Sequence, residues 1–210
     1  MIYFDLDGVI RDLCSIVFGF EPIKWDYQNK EGKTLVDIIN ENMGILRDAP
    51  PTKYLPFIKP FSPLVILSSK CPEKWKIRTR GWVNKYLPRS ELHFINPKTK
   101  QNFLNKGDFL VEDSPNLTSY ENIILIDRKY NKNILPYKRV KTGYQLKKIL
   151  IEHYANNCIN CKYIGDLSKY NDEERLMYEK QLLFPCNNPN SKYSFVRKEF
   201  KCNKFVYKKF

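Results

Sequence analysis

Met1-Ile2-Tyr3-Phe4-Asp5-Leu6-Asp7-Gly8-Val9-Ile10 is the stretch on which the reading of this chain turns. Ile2, Tyr3 and Phe4 form a short apolar run, the pattern of a buried strand, and it leads straight into Asp5 and Asp7. Gly8 then lets the backbone turn tightly. Two carboxylates two residues apart at a strand tip repel each other unless a cation or a proton sits between them. A hydrolytic enzyme can use such a pair: one carboxylate attacks, the other handles protons, and a hard divalent ion screens both.

The segments downstream repeat the theme. Pro63 to Ser68 is a continuous apolar run ending in polar residues, as expected of a parallel strand buried on both faces. Phe109-Leu110-Val111 runs into Glu112 and Asp113, Asn122 to Ile126 ends at Asp127, and Leu92 to Ile95 reads as a further short strand. Helical spacing appears between them. Thr34 to Leu46 has apolar residues at Leu35, Ile38, Ile39, Met43 and Leu46, and Trp75, Trp82, Val83 and Tyr86 share a face after Pro72. Gly143 to Tyr154 reads as a closing helix. Strands alternating with helices predict an α/β layered sandwich on a mostly parallel sheet. In such sheets the site lies beyond the carboxyl ends of the strands, where Asp5, Asp7, Ser68, Glu112 and Asp113 all fall. Residues 12–62 are too long for an ordinary crossover and carry their own helical pattern, so a small helical cap over the site is expected there.

DLDGVIRD at Asp5–Asp12, the apolar strand ending in Ser68, and VEDSPN at Val111–Asn116 together resemble the haloacid dehalogenase superfamily. Within it they look most like the 5′(3′)-deoxyribonucleotidase group with its phage and bacterial relatives. The resemblance covers about residues 1–150 and implies the superfamily's three-layer, Rossmann-like core. It also implies a Mg²⁺-dependent phosphatase, a phosphoric monoester hydrolase. Asp5 would be the nucleophile that forms an aspartyl-phosphate. Asp7 would protonate the leaving oxygen and then deprotonate the hydrolytic water. Mg²⁺ would be held by Asp5, the Asp7 backbone carbonyl, Glu112 and Asp113, and which of the last two binds directly stays open. Ser68 would hydrogen-bond a phosphoryl oxygen, with Ser69 as helper. A lysine is required to neutralise phosphoryl charge. Lys98, Lys100 and Lys106 are candidates, and Lys100-Gln101-Asn102-Phe103 matches the Lys-x-x-Phe of nucleotidase-like relatives, so Lys100 is preferred. Asp12 is expected to cap the following helix, and Asp127 to end a strand.

The resemblance implies a nucleotide substrate, a nucleoside monophosphate, with cap aromatics stacking on the base. Phe18, Phe20, Trp25 and Tyr27 lie in the cap segment, and the alternative for each is the cap's own small core. Phe18 and Trp25 are the substrate-binding candidates, and Arg11 a candidate for a second anionic or polar group of the substrate.

At 210 residues, 42% hydrophobic and 28% charged, the chain can bury a substantial core, and one to two domains are expected. No apolar stretch approaches the ~20 residues of a membrane span, so no membrane partner is expected. The first strand starts at once, from which no leader and a cytoplasmic location are expected. The net charge of +13 suits anionic partners, phosphate esters or nucleic acid, although a Lys- and Asn-rich composition explains it equally well. Of six cysteines, Cys158, Cys161, Cys186 and Cys202 lie after residue 150. In a reducing compartment their CxxC-plus-two spacing points to a structural Zn²⁺ site in a small C-terminal module, residues 151–210. Basic residues alternate with aromatics there, so an alternative function is a polynucleotide end phosphatase, or a nucleic-acid-binding protein that uses this module.

Overall fold

The computed structural model describes residues 1–159, the helix beyond 153 by its backbone alone, and two short strands further on. The chain divides into two compact units, Met1–Gly143 and Tyr144–Phe210. In the first, strands β1 (Ile2–Asp5), β2 (Val65–Ser69), β3 (Glu91–Ile95), β4 (Phe109–Glu112), β5 (Ile123–Ile126) and β6 (Lys138–Val140) form one six-stranded sheet. Their order is β3-β2-β1-β4-β5-β6 and every pairing is parallel. All four residues of β1 and of β5 are buried, as their unbroken apolar runs require of strands covered on both faces. The architecture is α/β and Rossmann-like.

The strand order decides where a ligand can sit. From β1 the chain moves outward through β2 to β3, then crosses back to β4 and moves the other way. The reversal opens a crevice between the carboxyl ends of β1 and β4, the topological switch point of a doubly wound sheet. Asp5 ends β1 and Glu112 ends β4.

Between β1 and β2 lie the short helices α1 (Leu13–Phe18), α2 (Leu35–Glu41), α3 (Ile45–Asp48) and α4 (Leu55–Ile58). Asp12 caps α1, accepting Ser15 N–H at 3.0 Å. Thr34 and Asp37 form a capping box on α2. The pattern read as one helix from Thr34 to Leu46 is broken at Asn42, which leaves helical dihedrals and takes Gly44 N–H on its side chain at 3.1 Å. That turn is a local alternative that asparagine offers to a helix. The insertion has its own apolar cluster: Leu13, Ile39, Ile45, Leu46 and Ala49, with Trp75 of helix α5 (Glu73–Tyr86) packed on it. Trp82 Nε1 donates to Ala49 O at 2.7 Å and fastens the insertion to α5.

The second unit contains helix α6 from Tyr144 (Gly143–Ile159 in full) and the antiparallel pair β7 (Leu183–Pro185) and β8 (Phe195–Arg197). Cys161, Cys186 and Cys202, with the side chain of Cys158, lie outside the described residues, and so does the zinc site expected on them. No described helix is long and apolar enough to cross a membrane.

Candidate active site

Asp5 is held by the backbone of β1, with its side chain 9% exposed. The chain then closes a tight loop, Ile10 N–H and Arg11 N–H both donating to Leu6 O at 2.9 and 2.8 Å. Gly8 has φ +87°, and a Cβ there would stand 1.9 Å from Asp113 Oδ2. Only glycine lets this loop pass over the carboxylate that follows β4.

Lys100, on the 3₁₀ stretch Pro97–Phe103, is 3% exposed. Its Nζ donates to Asp5 Oδ1 at 2.5 Å and to Glu112 Oε2 at 2.7 Å. Lys98 and Lys106 are exposed, so Lys100 is the lysine of the three that the fold brings to Asp5. Glu112 Oε1 accepts the backbone N–H groups of Asp113 at 3.0 Å and Ser114 at 3.2 Å. Asp113 is held differently. Tyr130 Oη donates to its Oδ2, while Asn131 Nδ2 donates to its backbone carbonyl at 2.8 Å. Its Oδ1 is buried with no hydrogen-bond partner. Arg128 Nη2 donates to Gly8 O and braces the Asp7–Gly8 loop from the β5 side.

Three buried carboxylates, Asp5, Glu112 and Asp113, place ligand atoms within 4.8 Å of one another. Burial pushes the Asp5 carboxyl well above the usual carboxylate range, and Glu112 adds to this while Lys100 opposes it. Burial, then Glu112, pushes Asp113 up to about 7, against the restraint of Tyr130 and Arg128. Burial disfavours the Lys100 ammonium, but Asp5 and Glu112 outweigh it and keep that group charged. One lysine against three carboxylates leaves excess negative charge out of water, and hard oxygen donors in this grouping fit a hard divalent cation. The orphaned Asp113 Oδ1 is the vacant donor such an ion needs.

Above these groups is a cavity of about 730 Å³. Its floor is polar, with Asp5, Asp7, Ser68, Lys100 and Glu112; its wall is apolar, with Trp25, Leu35, Val36, Ile39, Leu46 and Trp75. Ser68 is buried at the end of β2 and Ser69 beside it is exposed, both on the cavity. Trp25 faces it, with its ring edge-on to Tyr130 at 5.2 Å. Phe18 stands apart from that wall, its ring meeting Tyr27 at 5.0 Å and Phe20 at 6.2 Å in a cluster of the insertion's own. Arg11, expected to meet a second anionic or polar group of the substrate, is placed beside Asp7. It borders the cavity, but it is 1% exposed and its guanidinium is committed to Asp7, Leu46 and Thr79. Tyr130, Asn131 and Arg128 went unread in the sequence, although they follow a strand, β5, whose carboxyl end lies on the same sheet edge.

No protein-family model matches the chain, and no curated protein matches it significantly.

Proposed function

We propose that the chain is a divalent-cation-dependent phosphomonoesterase of the haloacid dehalogenase type that works through an aspartyl-phosphate on Asp5. The observation that carries the reading is the meeting of Asp5, Lys100, Glu112 and Asp113, from β1, the segment before β4 and the end of β4, in the crevice at the switch point. Asp5, Asp113 and the Asp7 backbone carbonyl would hold Mg²⁺, with Glu112 nearby. When bound, the ion would offset the charge on Asp5 and on the phosphoryl oxygens.

An Asp5 carboxylate oxygen attacks phosphorus, and the bond from phosphorus to the ester oxygen breaks. Asp7 gives that oxygen a proton, so the product leaves as an alcohol. Asp7 then takes a proton from water, whose oxygen attacks the same phosphorus. The bond to Asp5 breaks, inorganic phosphate leaves and the carboxylate is restored. An ammonium has three donors, and Lys100 spends two on Asp5 and Glu112, leaving the third for a phosphoryl oxygen. The Ser68 hydroxyl supplies a further donor from β2. The apolar wall suits a leaving group with a flat hydrophobic body, and a nucleoside monophosphate has one.

The test is phosphate release with Mg²⁺ from nucleoside monophosphates and from end-phosphorylated oligonucleotides, with Asp5→Asn as control. Turnover of at least one ester that is abolished in Asp5→Asn and by EDTA is expected. No turnover of any ester, or an active Asp5→Asn, overturns the reading.

A further inference from the structure

Asp7 sits on the loop after β1 with its side chain 37% exposed, and a carboxylate so placed would sample several rotamers. Arg11 takes that freedom away. Its Nε donates to Asp7 Oδ1 at 2.6 Å and its Nη2 to Oδ2 at 3.1 Å, a two-pronged grip. The other arm is spent as well: Nη1 donates to Leu46 O at 2.8 Å and to Thr79 Oγ1 at 3.4 Å. The guanidinium carbon lies 5.7 Å from the ring centre of Trp82. A buried guanidinium with its donors so spent has little left for a substrate, whereas its grip on Asp7 is geometrically specific.

We propose that Arg11 is a positioning residue for Asp7, resting on the phosphatase reading above. It fixes Oδ1 and leaves the more loosely held Oδ2 to carry the proton. Through Leu46 and Thr79 it ties that carboxylate to α3 and α5, so the placement of the insertion and the aim of the proton carrier are one arrangement. Arginine is donor-only and never takes the proton itself.

The leaving group separates positioning from mere folding. p-Nitrophenolate departs without a proton, so the first step on p-nitrophenyl phosphate does not need Asp7. Hydrolysis of the aspartyl-phosphate does, and so does departure of the alcohol of a nucleoside 5′-monophosphate. Arg11→Met is therefore expected to keep a rapid nitrophenolate burst while its steady rate, and its turnover of the nucleotide, fall about 100-fold. Arg11→Lys, which keeps the charge and loses the fork, is expected to recover part of the loss. In an Asp7→Asn background Arg11→Met should change turnover by less than about twofold, because both substitutions remove one function. A burst and a steady rate that fall together, or a loss that multiplies that of Asp7→Asn, overturns the proposal. If thermal melting shows Arg11→Met to be unfolded, the burst test is read on Arg11→Lys. An inactive wild type or an active Asp5→Asn brings down the phosphatase reading and this one with it. A dead Asp5→Asn beside the wrong Arg11 pattern brings down this one alone.

Discussion

Glu112 spends its carboxylate on Lys100, 2.7 Å away, and on the two N–H groups that follow it in the chain. Adjacent Asp113 keeps Oδ1 buried and without a partner. On the proposed reading, the two acids that look interchangeable in the sequence would divide the work: Glu112 would anchor the lysine, and Asp113 would offer the free oxygen to the ion. Asp113→Asn is expected to raise the Mg²⁺ concentration for half-maximal phosphate release by at least about 10–100-fold. Glu112→Gln should leave that concentration nearly unchanged and cut turnover about 100-fold, because Lys100 loses one of its two fixed contacts. Mn²⁺ binding followed by EPR without substrate gives an independent reading. An equal shift in both variants would show that the division is wrong.

Gly8 leaves no room for a side chain. Its positive φ costs any L-residue on the order of 1–3 kcal/mol. A new Cβ would also meet Asp113 Oδ2 at 1.9 Å and Cγ at 2.5 Å. Either the loop or the carboxylate must then move. Gly8→Ala is expected to lower the urea midpoint and to weaken Mn²⁺ binding together, whereas Gly19→Ala, with positive φ and open space around it, should cost stability and spare the metal.

What could be read from the sequence was whatever ends an apolar run. Asp5, Ser68, Glu112 and Asp113 announce themselves because a parallel strand buried on both faces needs unbroken apolar residues, so the first polar group marks its end and the sheet edge. Strand β6 (Lys138–Val140) escaped because its residues are Lys138, Arg139 and Val140, and a short edge strand needs no apolar run. The roles of Arg11 and Tyr130 escaped for another reason. Arg11 meets Leu46 and Thr79, and Tyr130 meets Asp113, across separations that no local periodicity encodes. Phe18 and Trp25 lie in one aromatic-rich segment, and only its folded path decides which ring faces the cavity.

Arg139 joins β6 to the loop after β5, donating to Asp127 Oδ1 at 2.9 Å, Asn131 O at 2.9 Å and Ile134 O at 2.6 Å. Burial favours protonation of Asp127, but hydrogen bonds from Lys132 and Arg139 outweigh it and hold the carboxyl below its ordinary value. A carboxyl depressed in the folded state adds stability above the unfolded pKa of about 3.9, and loses it as pH falls through the folded value. Asp127→Asn is expected to cost about 1 kcal/mol at pH 7, a modest figure because the pair lies near solvent. Urea denaturation at pH 7 and at pH 3 should show that difference shrinking in acid. A difference independent of pH would exclude the ion pair as its source.

Trp25 and Phe18 offer the sharpest test of where the leaving group lies. Trp25 is 49% exposed, faces the cavity and is steadied by the edge of Tyr130, an open platform on which a flat ring can stack. Stacking of a base on an aromatic ring contributes roughly 1–3 kcal/mol, so Trp25→Ala should raise KM for a nucleoside monophosphate by about 5- to 100-fold. Competitive inhibition by inorganic phosphate, which reaches only the polar floor, should be unchanged in the same variant. Phe18→Ala removes a ring that packs on Phe20 and Tyr27, so it should cost stability and leave KM alone. If Trp25→Ala weakens phosphate and nucleotide equally, Trp25 shapes the floor and the base must lie elsewhere. If Phe18→Ala alone raises KM, the insertion moves on binding substrate and brings Phe18 to the cavity.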